Sequence, residues 1–280
     1  MSTRDFRNLE AAQVSGEHVA FSFGKNWANF LGSLTDDKIA WAESSLRQFF
    51  GLDSLQGHTF LDIGCGSGLF SLAAHRLGAD RVISFDADPF SVQCAEYLRE
   101  QRGAPANWLV KQGSILNASD VAELPQASIV YSWGVLHHTG SMWKAINNTA
   151  GLVAPGGLFF IAIYNKHKRS EQWLRIKRLY NRSPRPVRFA MEAGYGLWDI
   201  GVQTKKGRNP IRHVRDYGKG ARGMSWWYDV RDWLGGLPYE YASTGEIVEA
   251  LQQHGFELVK QDPSGSYGCN EFLFRKAGGA

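Results

Sequence analysis

The chain has 280 residues, 44 % hydrophobic and 21 % charged, with a formal net charge of +4. That length suits one folded core carrying an insertion or a cap, and the composition excludes a disordered chain. The longest apolar run, Leu158 to Tyr164, is seven residues, against the ~20 that a membrane span needs, so no span is expected. The first fifteen residues hold no apolar stretch, and Cys65, Cys94 and Cys269 lie far apart with no CxxC pair. A secretory signal, a disulfide framework and a structural zinc site are therefore not expected; a reducing, cytoplasmic setting is.

Residues 10–50 read as helical, with apolar positions at Trp27, Phe30, Leu31, Ile39, Trp41, Leu46, Phe49 and Phe50; Gly32 marks a break and Asp36-Asp37 the next helix start. Strands are predicted at Thr59–Ile63, Arg81–Phe85, Trp108–Val110, Ser128–Ser132 and Leu158–Tyr164. Helices fall between them at Ser67–Leu77, from Pro89 to about Arg102, and from Met142 to about Val153, the last stopping before Pro155-Gly-Gly157. A helix at Thr244–His254 and strands near Phe256–Lys260 and Cys269–Phe274 close the chain. Strands alternating with helices, several apolar on both faces, predict a parallel sheet covered on each side.

Charge is unevenly placed. From Asn165 to Arg222 sixteen Lys or Arg face four acids, giving +12, while the rest of the chain carries −8. This segment of 58 residues also holds Trp173, Tyr180, Phe189, Tyr195, Trp198 and Tyr217. Such segregation points to an anionic partner. Pro184, Pro186 and Pro210 are expected to break the segment into two or more short helices forming a lid.

After the first strand comes Asp62-Ile-Gly64-Cys65-Gly66-Ser67-Gly68. Glycines between strand and helix permit a tight turn and close approach of a ligand to the backbone. Asp86 ends the second strand, where a carboxylate can accept both ribose hydroxyls of a nucleoside. No Gly-Lys-Ser/Thr follows, which excludes a P-loop.

Together with Ser132-Trp-Gly-Val-Leu-His-His-Thr139 and Val153-Ala-Pro-Gly-Gly-Leu158, this pattern resembles the class I S-adenosylmethionine-dependent methyltransferases over roughly residues 58–164 and the closing elements. The resemblance implies a Rossmann-like α/β fold: a seven-stranded, mostly parallel sheet with helices on both faces and an antiparallel last strand. It adds a helical N-terminal cap (1–50), a cofactor-binding core (51–164), a basic aromatic lid insertion (165–242) and closing core elements (243–280). The implied cofactor is S-adenosyl-L-methionine. Asp62, Gly64, Cys65, Gly66 and Gly68 would form its methionine loop, Asp86 with Ala87 would hold the ribose, Ser114 and Ile115 would flank adenine, and Trp133 and Gly134 would line the methionine end. Many relatives have Asp where this chain has Ser114.

Methyl transfer from a sulfonium needs an aligned nucleophile and, for an alcohol or amine, removal of its proton. His137 and His138 follow the fourth strand and are the candidate bases, His137 being preferred; Tyr164, His167 and His213 are further candidates. Trp27, Tyr164, Arg212, Arg215 and Arg222 are expected at the acceptor, and no metal is expected. The aromatic stretch from Arg222 to Glu240 and Gly268-Cys-Asn-Glu-Phe272 are similar to segments of small-molecule methyltransferases of glycan and natural-product pathways. The expected function is O-methylation of a small anionic metabolite or of a glycan or natural-product precursor. RNA or tRNA methylation, a quinone or lipid acceptor reached through an interfacial helix at Trp173–Tyr180, and a non-catalytic cofactor-binding partner protein are the alternatives.

Overall fold

A computed structural model describes residues 34–217, 226–263 and 268–279. Trp27, Arg222 and most of the expected N-terminal cap lie outside them. The first described element is α1 (Asp36–Phe50), with Asp36 and Asp37 in its first turn and Gly51 closing it at φ 67°. Its buried residues Ile39, Ala42, Leu46 and Phe50 fall on one helical stripe.

The core then runs β1 (Thr59–Ile63), α2 (Leu69–Arg76), β2 (Arg81–Asp86), α3 (Pro89–Gln101), β3 (Trp108–Gln112), α4 (Ala118–Ala122), β4 (Ala127–Trp133), α5 (Met142–Gly151) and β5 (Val153–Tyr164). A 3-10 turn at Leu136–His138 follows β4. Four helices come next: α6 (Ser170–Arg182), α7 (Arg185–Lys205), α8 (Pro210–Asp216) and α9 (Trp226–Gly235). The chain closes with α10 (Thr244–Gln253), β6 (Phe256–Asp262) and β7 (Cys269–Lys276).

The sheet has seven strands in the order β3-β2-β1-β4-β5-β7-β6, with β7 antiparallel to both neighbours and the other strands parallel. This is the Rossmann-like methyltransferase fold. Alternation along each strand sends Leu61, Ile83 and Val130 to one apolar layer and Phe60, Val82 and Ile129 to the other. Helices cover both faces, so the inner strands are largely apolar on both sides, with Asp62, Ser84 and Ser132 as buried polar exceptions.

Two expectations about elements need correction. Pro155-Gly-Gly157 was expected to precede the fifth strand, yet β5 starts at Val153 and includes it. Val153 pairs with Ala127, and the register then shifts before Leu158 meets Ile129. A side chain at Gly157 would stand 2.8 Å from the Ala154 carbonyl oxygen, so the bulged strand needs its glycine. In the insertion, the prolines do divide the segment into separate helices, α6 ending before Pro184 and α8 opening at Pro210, but the piece that follows Pro184 and Pro186 is not short. These two occupy the start of α7, where proline is tolerated, and that helix runs 21 residues.

The insertion leaves and re-enters the core at one place. Asn165 and Ala242 form a parallel β-bridge, Ala242 N–H donating to Tyr164 O (3.1 Å) and Lys166 N–H to Ala242 O (3.0 Å). Between these ends, α6, α7 and α9 make a small core of their own from Tyr180, Val230 and Leu234, with Trp173, Ile176, Met191, Tyr195 and Trp226 packed against it. Acidic residues tie the helices together. Glu192 accepts from Tyr180 Oη (2.7 Å) and Arg231 (3.1 Å), and Asp199 accepts from His213 (2.9 Å) and Trp226 (2.8 Å).

Candidate functional site

The carboxyl ends of β3, β2, β1, β4 and β5 stand side by side in the sheet, and the order reverses between β1 and β4. In open α/β sheets ligands bind at such a reversal. Here the glycine loop follows β1, and Gly64, Gly66 and Gly68 all have positive φ (76°, 54° and 79°). A Cβ at Gly64 would lie 2.4 Å from the Val135 methyls, and one at Gly68 would lie 2.9 Å from the Ala95 backbone. The loop is thus pressed against the turn after β4 on one side and α3 on the other. Only glycine fits both places.

Asp86 fixes the same loop from β2. Its Oδ2 accepts from Gly66 N–H (2.9 Å) and its Oδ1 from Asp88 N–H (2.9 Å). Burial pushes its carboxyl up to about 6, although these two amide donors favour the ionised form. Asp88, not Asp86, caps α3 by accepting from Phe90 N–H.

Asp62 lies deeper, at 3 % exposure. It accepts from Ser71 Oγ (2.6 Å), Ser71 accepts from Ser84 Oγ (2.7 Å), and Ser84 accepts from Trp108 Nε1 (2.9 Å). This chain of donors ties α2, β2 and β3 to the strand that launches the loop. Burial still pushes the Asp62 carboxyl up to about 7. Burial and the nearby Asp86 and Asp62 also raise the Cys65 thiol well above its usual range, so it stays protonated.

After β3, Ser114 Oγ accepts from Leu116 N–H (3.2 Å), while Asp120 Oδ2 accepts from Ser114 N–H (2.9 Å). Asp120 of α4 thus braces the start of this loop. Ile115 is buried in the core, whereas Ala87 is exposed. At the end of β4, Trp133 reaches across the small Ala162 of β5 and donates its Nε1–H to Glu271 of β7 (2.8 Å). Gly134 has φ 73° and open space where a side chain would stand.

The two histidines differ in setting. His137 is fully buried, and its Nδ1 accepts from Tyr164 N–H (3.3 Å). His138 is partly exposed, and its Nδ1 contacts the Pro238 carbonyl oxygen at 2.6 Å. A carbonyl only accepts, so His138 carries a proton on Nδ1 and, in its neutral form, its lone pair on Nε2, while the accepting Nδ1 of His137 puts the proton of that ring on Nε2. Tyr164 packs on both rings, with centroids 4.0 Å from His137 and 5.4 Å from His138. Trp233 and Tyr239 pack on Tyr164 in turn, at 5.7 and 5.1 Å.

Sequence reasoning did not single out the residues that hold this turn. Glu240 N–H donates to His137 O (3.0 Å), and the Glu240 carboxylate accepts from Met142 N–H (3.1 Å), capping α5 from outside. Lys177 of α6 is also new. It is fully buried, donates to Trp233 O, and lies 5.1 and 5.0 Å from the Trp233 and Tyr239 ring centroids. Burial pushes its ammonium down to about 7 against the pull of Asp232 and Asp229. Arg212 and Arg215 sit exposed on α8, and Arg215 is engaged by both carboxylate oxygens of Asp216 (3.0 Å each). His213 is held by Asp199, and His167 Nδ1 accepts from Arg169 N–H (3.2 Å). Among the described residues, no group of three His, Cys, Asp or Glu side chains is placed to hold a metal.

A model of the methyltransferase domain family matches residues 38–261. The chain belongs to that family. The ubiquinone biosynthesis O-methyltransferase of Methylobacterium sp. (strain 4-46) is 34 % identical over 124 residues, 44 % of this chain and 48 % of that one. The ribosomal protein L11 methyltransferase of Tolumonas auensis is 35 % identical over 113 residues, 40 % of this chain and 36 % of that one. This chain spans about half the length, or less, of these curated relatives. The magnesium protoporphyrin IX methyltransferase of Synechocystis PCC 6803 shares the fold, with a TM-score of 0.53 at 15 % identity over 90 % of this chain and 94 % of that one.

S-adenosylmethionine is the cofactor that goes with this family. The loop fits it: two glycine positions admit no side chain, and a carboxylate stands at the tip of β2 where ribose hydroxyls need an acceptor.

Proposed function

We propose that this protein methylates an oxygen of a small anionic or readily ionised acceptor, with His138 as the base. The observation that carries the reading is the pairing of His138 Nδ1 with Pro238 O, which leaves the basic lone pair on Nε2. Val135, three residues earlier, touches Gly64 of the cofactor loop, so the base and the loop share one turn. S-adenosylmethionine supplies an activated methyl group when bound. The chain's own work is to hold the acceptor in line and take its proton.

Tyr164 and Trp233 are both partly exposed, and such aromatic surroundings beside His138 suit a planar acceptor such as a phenol. The relatives named for O-methylation in ubiquinone biosynthesis support oxygen as the target and favour a quinone precursor over RNA. In this reading Asp86 and the glycine loop bind cofactor, and Ser114 with Asp120 shapes the adenine side. The test is methyl transfer from labelled S-adenosylmethionine to a panel of catechols, hydroxybenzoates and aliphatic hydroxy acids. Label on an oxygen, lost in His138→Gln with cofactor binding intact, supports the reading. Label on nitrogen only, or undiminished turnover in His138→Gln, overturns it.

A further inference from the structure

The insertion carries an exposed apolar face that the methyl-transfer site does not use. Along α7, Val187, Ala190, Gly194, Leu197, Trp198 and Gly201 are all exposed, and their spacing places them on one side of the helix. This stripe is about 21 Å long at 1.5 Å per residue, and it contains no charged residue. Leu197 is 71 % exposed and Trp198 52 %. On neighbouring helices Leu179 is 59 % exposed and Ile211 75 %.

The charges around the stripe have one sign. Arg185 precedes it, Lys205, Lys206 and Arg208 follow it, and Arg178, Arg182 and Arg212 flank the other exposed apolar residues; all are exposed. The acids of α7 are turned inward: Glu192 is buried against Tyr180 and Arg231, and Asp199 is held by His213, Trp226 and Gln203. Burying the stripe against a second copy would bring two strongly basic segments together, which Coulomb repulsion opposes. A nucleic acid would use the cations and leave Leu197, Trp198 and Ile211 in water. Only a surface that is both anionic and apolar beneath satisfies the two features together. No helix of the described residues is long and apolar enough to cross a membrane.

We infer that the α7 face is a peripheral membrane-docking surface, lying in the headgroup region of an anionic phospholipid bilayer with Leu197 and Trp198 inserted and the flanking Arg and Lys on lipid phosphates. The inference rests on the insertion's surface and not on the acceptor proposed above.

The experiment is flotation of the full chain with vesicles of phosphatidylcholine alone and of phosphatidylcholine mixed with phosphatidylglycerol, at low and high salt. The expected result is binding to the mixed vesicles, weakened by salt and reduced about tenfold or more in the double variant L197E/W198E. Cofactor affinity, measured in parallel, should be unchanged and reports that the variant is folded. Should that variant misfold, A190E, on the same stripe, serves in its place. The inference is overturned if the wild type does not float with mixed vesicles, or if a folded variant floats as well as wild type. It is equally overturned if sedimentation shows a dimer that L197E/W198E dissociates, because the face then serves a second copy.

Discussion

His138 donates its Nδ1–H to the carbonyl oxygen of Pro238 across 2.6 Å, joining the turn after β4 to a segment one hundred positions further along the chain. The contact fixes which nitrogen of the ring is basic, and it does so from the returning end of the insertion. His138→Gln should therefore lower turnover by ~10²–10⁴ while leaving cofactor affinity in place. His137→Gln should act chiefly on stability, since that ring is buried and bonded to the backbone of β5. Steady-state kinetics beside thermal unfolding of the two variants separates the roles; equal kinetic losses with equal midpoints would contradict the assignment.

Glu240 holds the same turn without reaching the ring. Glu240→Ala removes the external cap of α5 and should cost about 1 kcal/mol, a fall in midpoint of roughly 2–4 °C. Because the variant loosens the support under His137 and His138, kcat should fall more than KM rises. Denaturation monitored with and without cofactor, together with kcat and KM, checks both parts.

Cofactor affinity should depend on pH through Asp86. Its carboxyl is pushed up to about 6 by burial, and only the ionised form accepts from two ribose hydroxyls. Affinity should be constant above about 7 and decline as the pH falls through 6. Asp86→Ala should weaken binding at every pH by about 1.5–3 kcal/mol for each bond lost and abolish the pH dependence. Calorimetric titrations between pH 5 and 8 measure this directly.

The two buried groups Asp62 and Lys177 predict opposite slopes of stability. The Asp62 carboxyl is raised from its ordinary value to about 7. Between about 4 and 7 the folded state holds a proton that the unfolded chain releases, so this contribution to stability is lost as pH rises across that window. Asp62→Asn should flatten the slope. The Lys177 ammonium is lowered to about 7. Its penalty is full below 7 and relieved as pH rises toward the ordinary lysine value, so stability gained on alkalinisation should vanish in Lys177→Met. Unfolding midpoints at pH 5, 7 and 9 read both; unchanged slopes in the variants would refute them.

What could be read in advance follows from the range of each interaction. The strands and the glycine loop were legible because apolar period, turn residues and a terminal carboxylate lie within a few positions of one another. Thr59–Ile63 matches the observed strand, and β7 runs antiparallel as the family resemblance implied. Local patterns failed where a distant partner decides. Pro155-Gly-Gly157 looked like a loop, but Ala127 recruits Val153 into the sheet. Lys177 looked like one more cation of a basic helix, and only the fold places Trp233 and Tyr239 on it. Nothing near His137 and His138 in the sequence distinguishes the two rings, because Pro238, which bonds one of them, lies far along the chain.

The Asn165–Ala242 bridge makes residues 166–241 a cassette. Both ends are pinned by neighbouring backbone bonds, which hold the end of β5 beside the residues that lead into α10. Closing a longer or shorter loop changes the entropy only slowly with length. A graft between these two positions should therefore be tolerated where it also restores the bonds that Glu240 makes to His137 O and Met142 N–H. It also brings along its own counterpart of Pro238, and with it control over which imidazole nitrogen is basic in the recipient. Exchange of one peptide segment would thus move surface charge and the partner of His138 Nδ1 together as a single heritable unit.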